Sequence, residues 1–189
     1  MRNINLIVFL VLLSFISSCS KDNEETPKST ENGYTFNTEF FPTDKLILTS
    51  TSPEEAIFII LDDNAVFNST TGKFEGNTGR GILIAVRIDE DASELSDLAG
   101  AYTQVIDPNG FEGNGDFIGG LFMDFGSLES AYNNDNGTGT NDYLLAITGD
   151  VRVRFNSETE IFTIEYTLTT NQGIITGAYE GVSQQFILN

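Results

Sequence analysis

Apolar and polar residues alternate with a period of two through much of the C-terminal third of the chain. Val151-Arg152-Val153-Arg154-Phe155 and Phe162-Thr163-Ile164-Glu165-Tyr166 each put every apolar side chain on one face, the pattern of a half-buried strand. Short apolar runs recur earlier, at Tyr34–Phe36, Leu46–Leu48, Ile57–Leu61, Ile82–Ile88, Tyr102–Ile106, Phe117–Phe125 and Tyr143–Ile147, separated by Gly, Asn and Asp clusters. Their residues are β-branched or aromatic, with Phe alone occurring 15 times. Only Ala92–Leu98 reads as a helical turn. Strands of this length and spacing predict an all-β domain, an antiparallel β-sandwich of roughly 8–10 strands, with a flattened or lipocalin-like β-barrel as the alternative. Phe117–Phe125 reads as a central strand, apolar on both faces, or as the lining of an apolar cavity in a barrel.

Register can be read from the same region. If the two alternating runs pair across Ser157–Glu160, Val151 faces Tyr166, Val153 faces Ile164 and Phe155 faces Phe162. Arg152 then meets Glu165 and Arg154 meets Thr163 on the other face, and a one-residue slip would turn the whole apolar set outward. A second hairpin, turning at Asn171-Gln172, sets Leu168 opposite Ile175, Ile164 opposite Tyr179, and Tyr166 across Gly177. A tyrosine ring lying over a strand glycine is a stabilising arrangement. A turn at Gly181 would let Val182–Leu188 add a fourth strand.

The N-terminus has a different character. Arg2 is followed by an almost unbroken apolar run, Ile4 to Ile16, and then by Ser17-Ser18-Cys19. A basic start, about a dozen apolar residues and small residues before a cut are the parts of a secretory signal, and the run is shorter than the ~20 residues of a spanning helix. Ile16-Ser17-Ser18-Cys19 resembles the lipobox of bacterial lipoproteins. That resemblance implies that residues 1–18 are a signal peptide, and that Cys19 is acylated, with palmitate among the expected chains, and becomes the new N-terminus. Cys19 is the only cysteine, so a lipidated chain has no free thiol and no disulfide, and its stability must come from a packed core. The boundaries expected are 19–32 for lipidated cysteine and tether, and 33–189 for a single all-β domain.

The tether, SKDNEETPKSTEN from Ser20 to Asn32, has no apolar residue apart from Pro27 and too little to bury for folding. Fully extended it would span about 40 Å. Lys21-Asp22-Asn23-Glu24-Glu25 resembles the acidic export signal of Bacteroidota lipoproteins carried to the outer face of the outer membrane. The run from Gly149 to Gly181 and the opening Gly33-Tyr34-Thr35-Phe36-Asn37, followed by Pro42, are similar to the closing hairpins and first strand of small Bacteroidota surface lipoproteins of unknown function. The resemblance implies a lipid-anchored, surface-exposed outer-membrane protein and carries no catalytic residues.

Charge and composition narrow the chemistry. The formal charge is −19, and loss of the leader with Arg2 brings it to about −20. Such a surface repels nucleic-acid phosphates and anionic headgroups, so membrane attachment falls to the acyl chains. The chain has no histidine, which removes histidine-based triads and nearly all transition-metal sites. No phosphate loop or dinucleotide fingerprint occurs. Paired carboxylates for glycoside hydrolysis are available among Asp62, Asp63, Glu90, Asp124 and Glu165, in a chain with 28 acidic residues. A calcium ion takes six to eight oxygens, and Asp107, Asn109, Glu112, Asn114 and Asp116 place oxygen side chains along one glycine-rich loop. Asn133–Gly137 with Asn141 and Asp142 has similar chemistry. The same residue types are also the ordinary material of β-turns. Tyr102, Tyr132 and Tyr143 lie beside loops where they could stack on sugars. Three function classes follow: a non-catalytic surface module binding a glycan or protein, a barrel carrying a small apolar ligand, and a carboxylate hydrolase. The first is preferred because export, tether and loop-rich strands all suit it.

Overall fold

The computed structural model of the protein describes residues 31–50, 52–68, 73–75, 80–104, 116–124, 143–144 and 146–184. These form β1 (Gly33–Phe36), β2 (Glu39–Pro42), β3 (Lys45–Thr49), β4 (Glu55–Leu61), β5 (Val66–Asn68), β6 (Lys73–Glu75), β7 (Arg80–Arg87), β8 (Gly100–Gln104), β9 (Asp116–Asp124), β10 (Tyr143–Leu144), β11 (Ala146–Asn156), β12 (Ile161–Thr170) and β13 (Gly173–Gly181). A single 3-10 turn, Leu95–Leu98, is the only described helix and falls within the expected Ala92–Leu98 segment.

The all-β expectation holds. One sheet contains most of the strands, in the order β2-β1-β13-β12-β11-β8-β9-β7-β4-β3, with β10 attached to β9 and a separate β5–β6 hairpin. Every neighbour pair is antiparallel except β8–β9, so the sheet is mixed. It curls into a half-barrel, which is nearer to the flattened-barrel alternative than to two facing sheets. The far ends of the curl approach each other: Ser183 bridges Leu46 of β3 in parallel, and the Gln184 N–H donates to the Leu46 carbonyl at 2.8 Å. The Arg80 guanidinium of β7 also lies 4.6 Å from the centre of the Phe41 ring of β2, a cation–π contact across the curl.

The C-terminal meander follows the register read from the sequence. Val151 pairs Tyr166, Val153 pairs Ile164, Phe155 pairs Phe162, Arg152 pairs Glu165 and Arg154 pairs Thr163. Leu168 pairs Ile175, Ile164 pairs Tyr179 and Tyr166 pairs Gly177. The alternation decides this, because the inward side chains Phe162, Ile164, Tyr166 and Leu168 are all at most 3% exposed. Gly181, however, is no turn. It is the last residue of β13, still paired with Phe162, and two residues on Ser183 bridges Leu46; residues 185–188 of the expected fourth strand lie outside the described residues. The edge of β3 offers a Leu46 carbonyl that would otherwise lack a partner, and Gln184 supplies one.

β3 and β4 are buried on both faces. Leu46, Leu48, Phe58 and Ile60 belong to the main core, while Ile47, Ile57 and Ile59 on the opposite face are also buried. This is why Glu55-Ala56-Ile57-Phe58-Ile59-Ile60-Leu61 lacks alternation. β9 is a central strand as expected, lying between β8 and β7. The start of the domain is tied by Asn32, whose side chain donates to the Glu180 carbonyl at 2.8 Å and accepts from the Glu180 N–H at 2.7 Å. The Asn37–Thr38 turn between β1 and β2 has φ of 49° and 69°, the paired left-handed values of a type I′ hairpin.

Candidate binding face

The two faces of the curled sheet differ in chemistry. The inner face carries one cluster that includes Tyr34, Phe58, Phe117, Phe162, Tyr166 and Tyr179. Phe58 and Phe162 meet edge to face at 6.0 Å, Phe155 and Phe162 lie tilted at 4.7 Å, and Tyr34 stacks on Phe41 at 5.1 Å. Around Gly177 the packing is tight: a Cβ there would stand 2.5 Å from Cζ and Oη of Tyr166. The tyrosine ring thus lies across the glycine, as the register required. The Tyr102 hydroxyl donates to the Leu98 carbonyl at 2.8 Å. Burial, with Asp89 adding, pushes the Tyr102 phenol up to about 12. Burial raises Tyr166 too, with Tyr34 adding, and its buried hydroxyl has no hydrogen-bond partner among the described residues. Burial and Asp44 also raise Tyr179, against a backbone hydrogen bond from Leu46, and the Tyr179 hydroxyl donates to the Val182 carbonyl at 3.2 Å.

Over β2, β1, β13, β12, β11 and β8 the outer face is largely polar and ordered into rows by the register. Phe40 pairs Thr35, Thr35 pairs Thr176, Thr176 pairs Thr167, Thr167 pairs Asp150, and Asp150 pairs Thr103. One row therefore crosses β2, β1, β13, β12, β11 and β8. The next row holds Glu165, Arg152 and Ala101. Where these rows cross β8, β11 and β12 the surface dips into an open depression of about 310 Å³, lined by residues 101–103 of β8, 150–152 of β11 and 165–167 of β12. Arg154 and Glu165 form an ion pair at 3.0 Å. The expected cross-strand neighbours Arg152 and Glu165 are in register, but the ion pair is diagonal. Among the described residues Arg152, Asp150, Thr35, Thr103, Thr167 and Thr176 keep their side chains out of hydrogen bonds and ion pairs.

Several sequence candidates fall elsewhere. Tyr102 is 5% exposed and committed to Leu98, so it is a core residue and offers no ring to a sugar. Asp62 caps a turn, accepting the Arg80 N–H at 2.9 Å and the Asn64 N–H at 3.1 Å. Asp62, Arg80 and Asp124 share a row at the ends of β4, β7 and β9, well apart in the sheet from Glu165 on β12. Asp116 opens β9, half-buried, in register with Thr103. The remaining calcium-loop residues Asp107, Asn109, Glu112 and Asn114, the second loop, Tyr132 and Cys19 lie outside the described residues. Among the described residues no three metal-ligating side chains gather.

The row itself was not apparent in the sequence. Thr163, Thr167 and Thr169 announce a polar face on β12, but the depression needs β8 beside β11, a pairing between segments about fifty residues apart. Comparison with protein-family models, curated proteins and solved structures gives no match, so the face is read from its geometry alone.

Proposed function

We propose that the protein is a non-catalytic binding module, anchored by acylated Cys19 to the outer membrane and displayed at the cell surface. The observation that carries the binding role is the contrast between the two sheet faces. The inner face is packed with aromatic rings, while the outer face presents a depression in which Thr103, Asp150, Arg152 and Thr167 are exposed to a partner. A carrier needs a vacant interior, and the rings of Phe58, Phe117 and Phe162 are each fully buried in the curl. Support for the anchor comes from the lipobox-like Ile16-Ser17-Ser18-Cys19, the tether, and the tie at Asn32, which fixes where the tether joins the sheet.

The test is metabolic labelling with radioactive palmitate, comparing the natural chain with Cys19→Ser, followed by membrane fractionation. Label in the natural chain, absent from Cys19→Ser, is the expected result. An unlabelled natural chain, or a Cys19→Ser chain that still sediments with the outer membrane, would overturn the reading.

A further inference from the structure

The polar row points to a class of ligand. Its polar members are four threonine hydroxyls and one carboxylate, with the Arg152 guanidinium in the row beside it, the groups that pair with sugar hydroxyls. The row crosses six strands, and five inter-strand steps of ~4.8 Å make it about 24 Å long. The charges beside it come close to balance, since Asp150 and Glu165 stand with Arg152 and Arg154 and only Asp116, next to Thr103 at the end of the row, adds to the acids, in a chain of net charge −19. This nearly balanced patch on a strongly acidic protein favours an uncharged partner, because a polyanion would meet the surrounding negative field. At the far end of the row lies Phe40. Its ring rests on Gly33, where a side-chain Cβ would collide with it, and it remains 43% exposed. A half-exposed aromatic ring over a glycine offers a stacking surface at the end of the row, which the buried Tyr102 does not.

We infer that this outer face binds an extended, uncharged polysaccharide, lying across the strands from Phe40 to the depression around Asp150 and Arg152. The inference rests on the surface-module reading and names its ligand class. A sugar face would stack on Phe40. Hydroxyls along the chain would exchange hydrogen bonds with Thr35, Thr176, Thr167 and Thr103, and Asp150 with Arg152 would hold a sugar in the depression through charge-assisted bonds.

The experiment uses the complete lipidated chain in micelles of a polyoxyethylene detergent, which carries no sugar. Its mobility is measured in native gels containing hydroxyethyl cellulose, galactomannan, arabinoxylan or pullulan, with polygalacturonate as the charged control. Retardation by at least one neutral polymer is expected, with affinity falling about tenfold or more in Asp150→Ala, the scale of losing a charge-assisted bond, and comparably in Phe40→Ala. Thr167→Val, an exposed and nearly isosteric change, should weaken binding severalfold while leaving the melting midpoint in place. Retardation that persists in Asp150→Ala, Phe40→Ala and Thr167→Val alike, preference for polygalacturonate, or no retardation by any neutral polymer would each overturn the inference. Palmitate labelling of Cys19 would be untouched by such a failure, so loss of the glycan inference and loss of the surface-module reading are told apart.

Discussion

Removing one buried phenolic oxygen should stabilise this fold, and removing another should weaken it. The Tyr166 hydroxyl is buried without a hydrogen-bond partner among the described residues, whereas the Tyr102 hydroxyl donates to the Leu98 carbonyl at 2.8 Å. A buried hydroxyl left unpaired costs about 1–3 kcal/mol relative to water in protein mutational data. Tyr166→Phe removes that cost and leaves a void the size of one oxygen, which offsets part of the gain. The expected net effect is about 1 kcal/mol of stabilisation, or about 2–4 °C in the melting midpoint for a domain of this size. Tyr102→Phe deletes a satisfied hydrogen bond and leaves the Leu98 carbonyl unpaired, a loss of about 1 kcal/mol in the opposite direction. The assay is thermal and urea unfolding of both variants beside the natural chain, followed by circular dichroism. If Tyr166→Phe lowers the midpoint as far as Tyr102→Phe, the Tyr166 hydroxyl has a partner after all and the packing around Gly177 has been misread.

Other outcomes follow from the same geometry. With the folded-state value of Tyr102 raised to about 12 from an ordinary 10 and Tyr166 raised as well, both phenols favour the folded state fully below pH ~10. That contribution is lost as pH rises through the folded values, so stability should fall between about pH 10 and 12. An ultraviolet titration of tyrosinate should show late-ionising phenols that become titratable when the chain is unfolded in urea, and ionisation of all six tyrosines near 10 in the folded protein would contradict the burial. Gly177→Ala would place a Cβ 2.5 Å from Tyr166 and should cost about 1–3 kcal/mol by overpacking, read as a lower urea midpoint; an unchanged midpoint would mean that the ring does not lie on the glycine. Asn32→Ala removes both hydrogen bonds to Glu180 and should speed amide exchange at Glu180 with a stability loss of about 1 kcal/mol. Unaltered exchange there would show the start of the domain to be held by other contacts.

The parts legible in the sequence were those set by local alternation. On β12 the inward and outward residues separate so cleanly that only one register buries Phe162, Ile164, Tyr166 and Leu168 together, and Tyr166 over Gly177 came with it. What could not be read were features decided by long-range closure. Nothing in Val182-Ser183-Gln184 announces a bridge to Leu46, because the signal is an unfilled strand edge more than a hundred residues away. The choice of a single curled sheet over two facing ones depends on the same closure and on the parallel β8–β9 pairing. Glu55–Leu61 hid its orientation because burial on both faces erases the alternation. Tyr102 misled for a related reason: its place beside a loop in the sequence suggested exposure, but the 3-10 turn folds back and Leu98 takes its hydroxyl. The outer row was invisible because threonine on a strand reports only the polar face until the neighbouring strands are known.

The most direct test of the tethered surface module uses the single cysteine. A membrane-impermeant maleimide is applied to intact cells making the natural chain or Thr167→Cys, and each protein is recovered under denaturing conditions. Acylation of Cys19 leaves the natural chain without a thiol, and display of the outer face leaves Thr167→Cys open to the reagent. The expected result is an unlabelled natural chain, even when denatured before labelling, and a Thr167→Cys chain labelled on intact cells. A natural chain that takes up label once denatured would mean that Cys19 carries no lipid, and a Thr167→Cys chain labelled only after the cells are broken would place the sheet face inside the envelope.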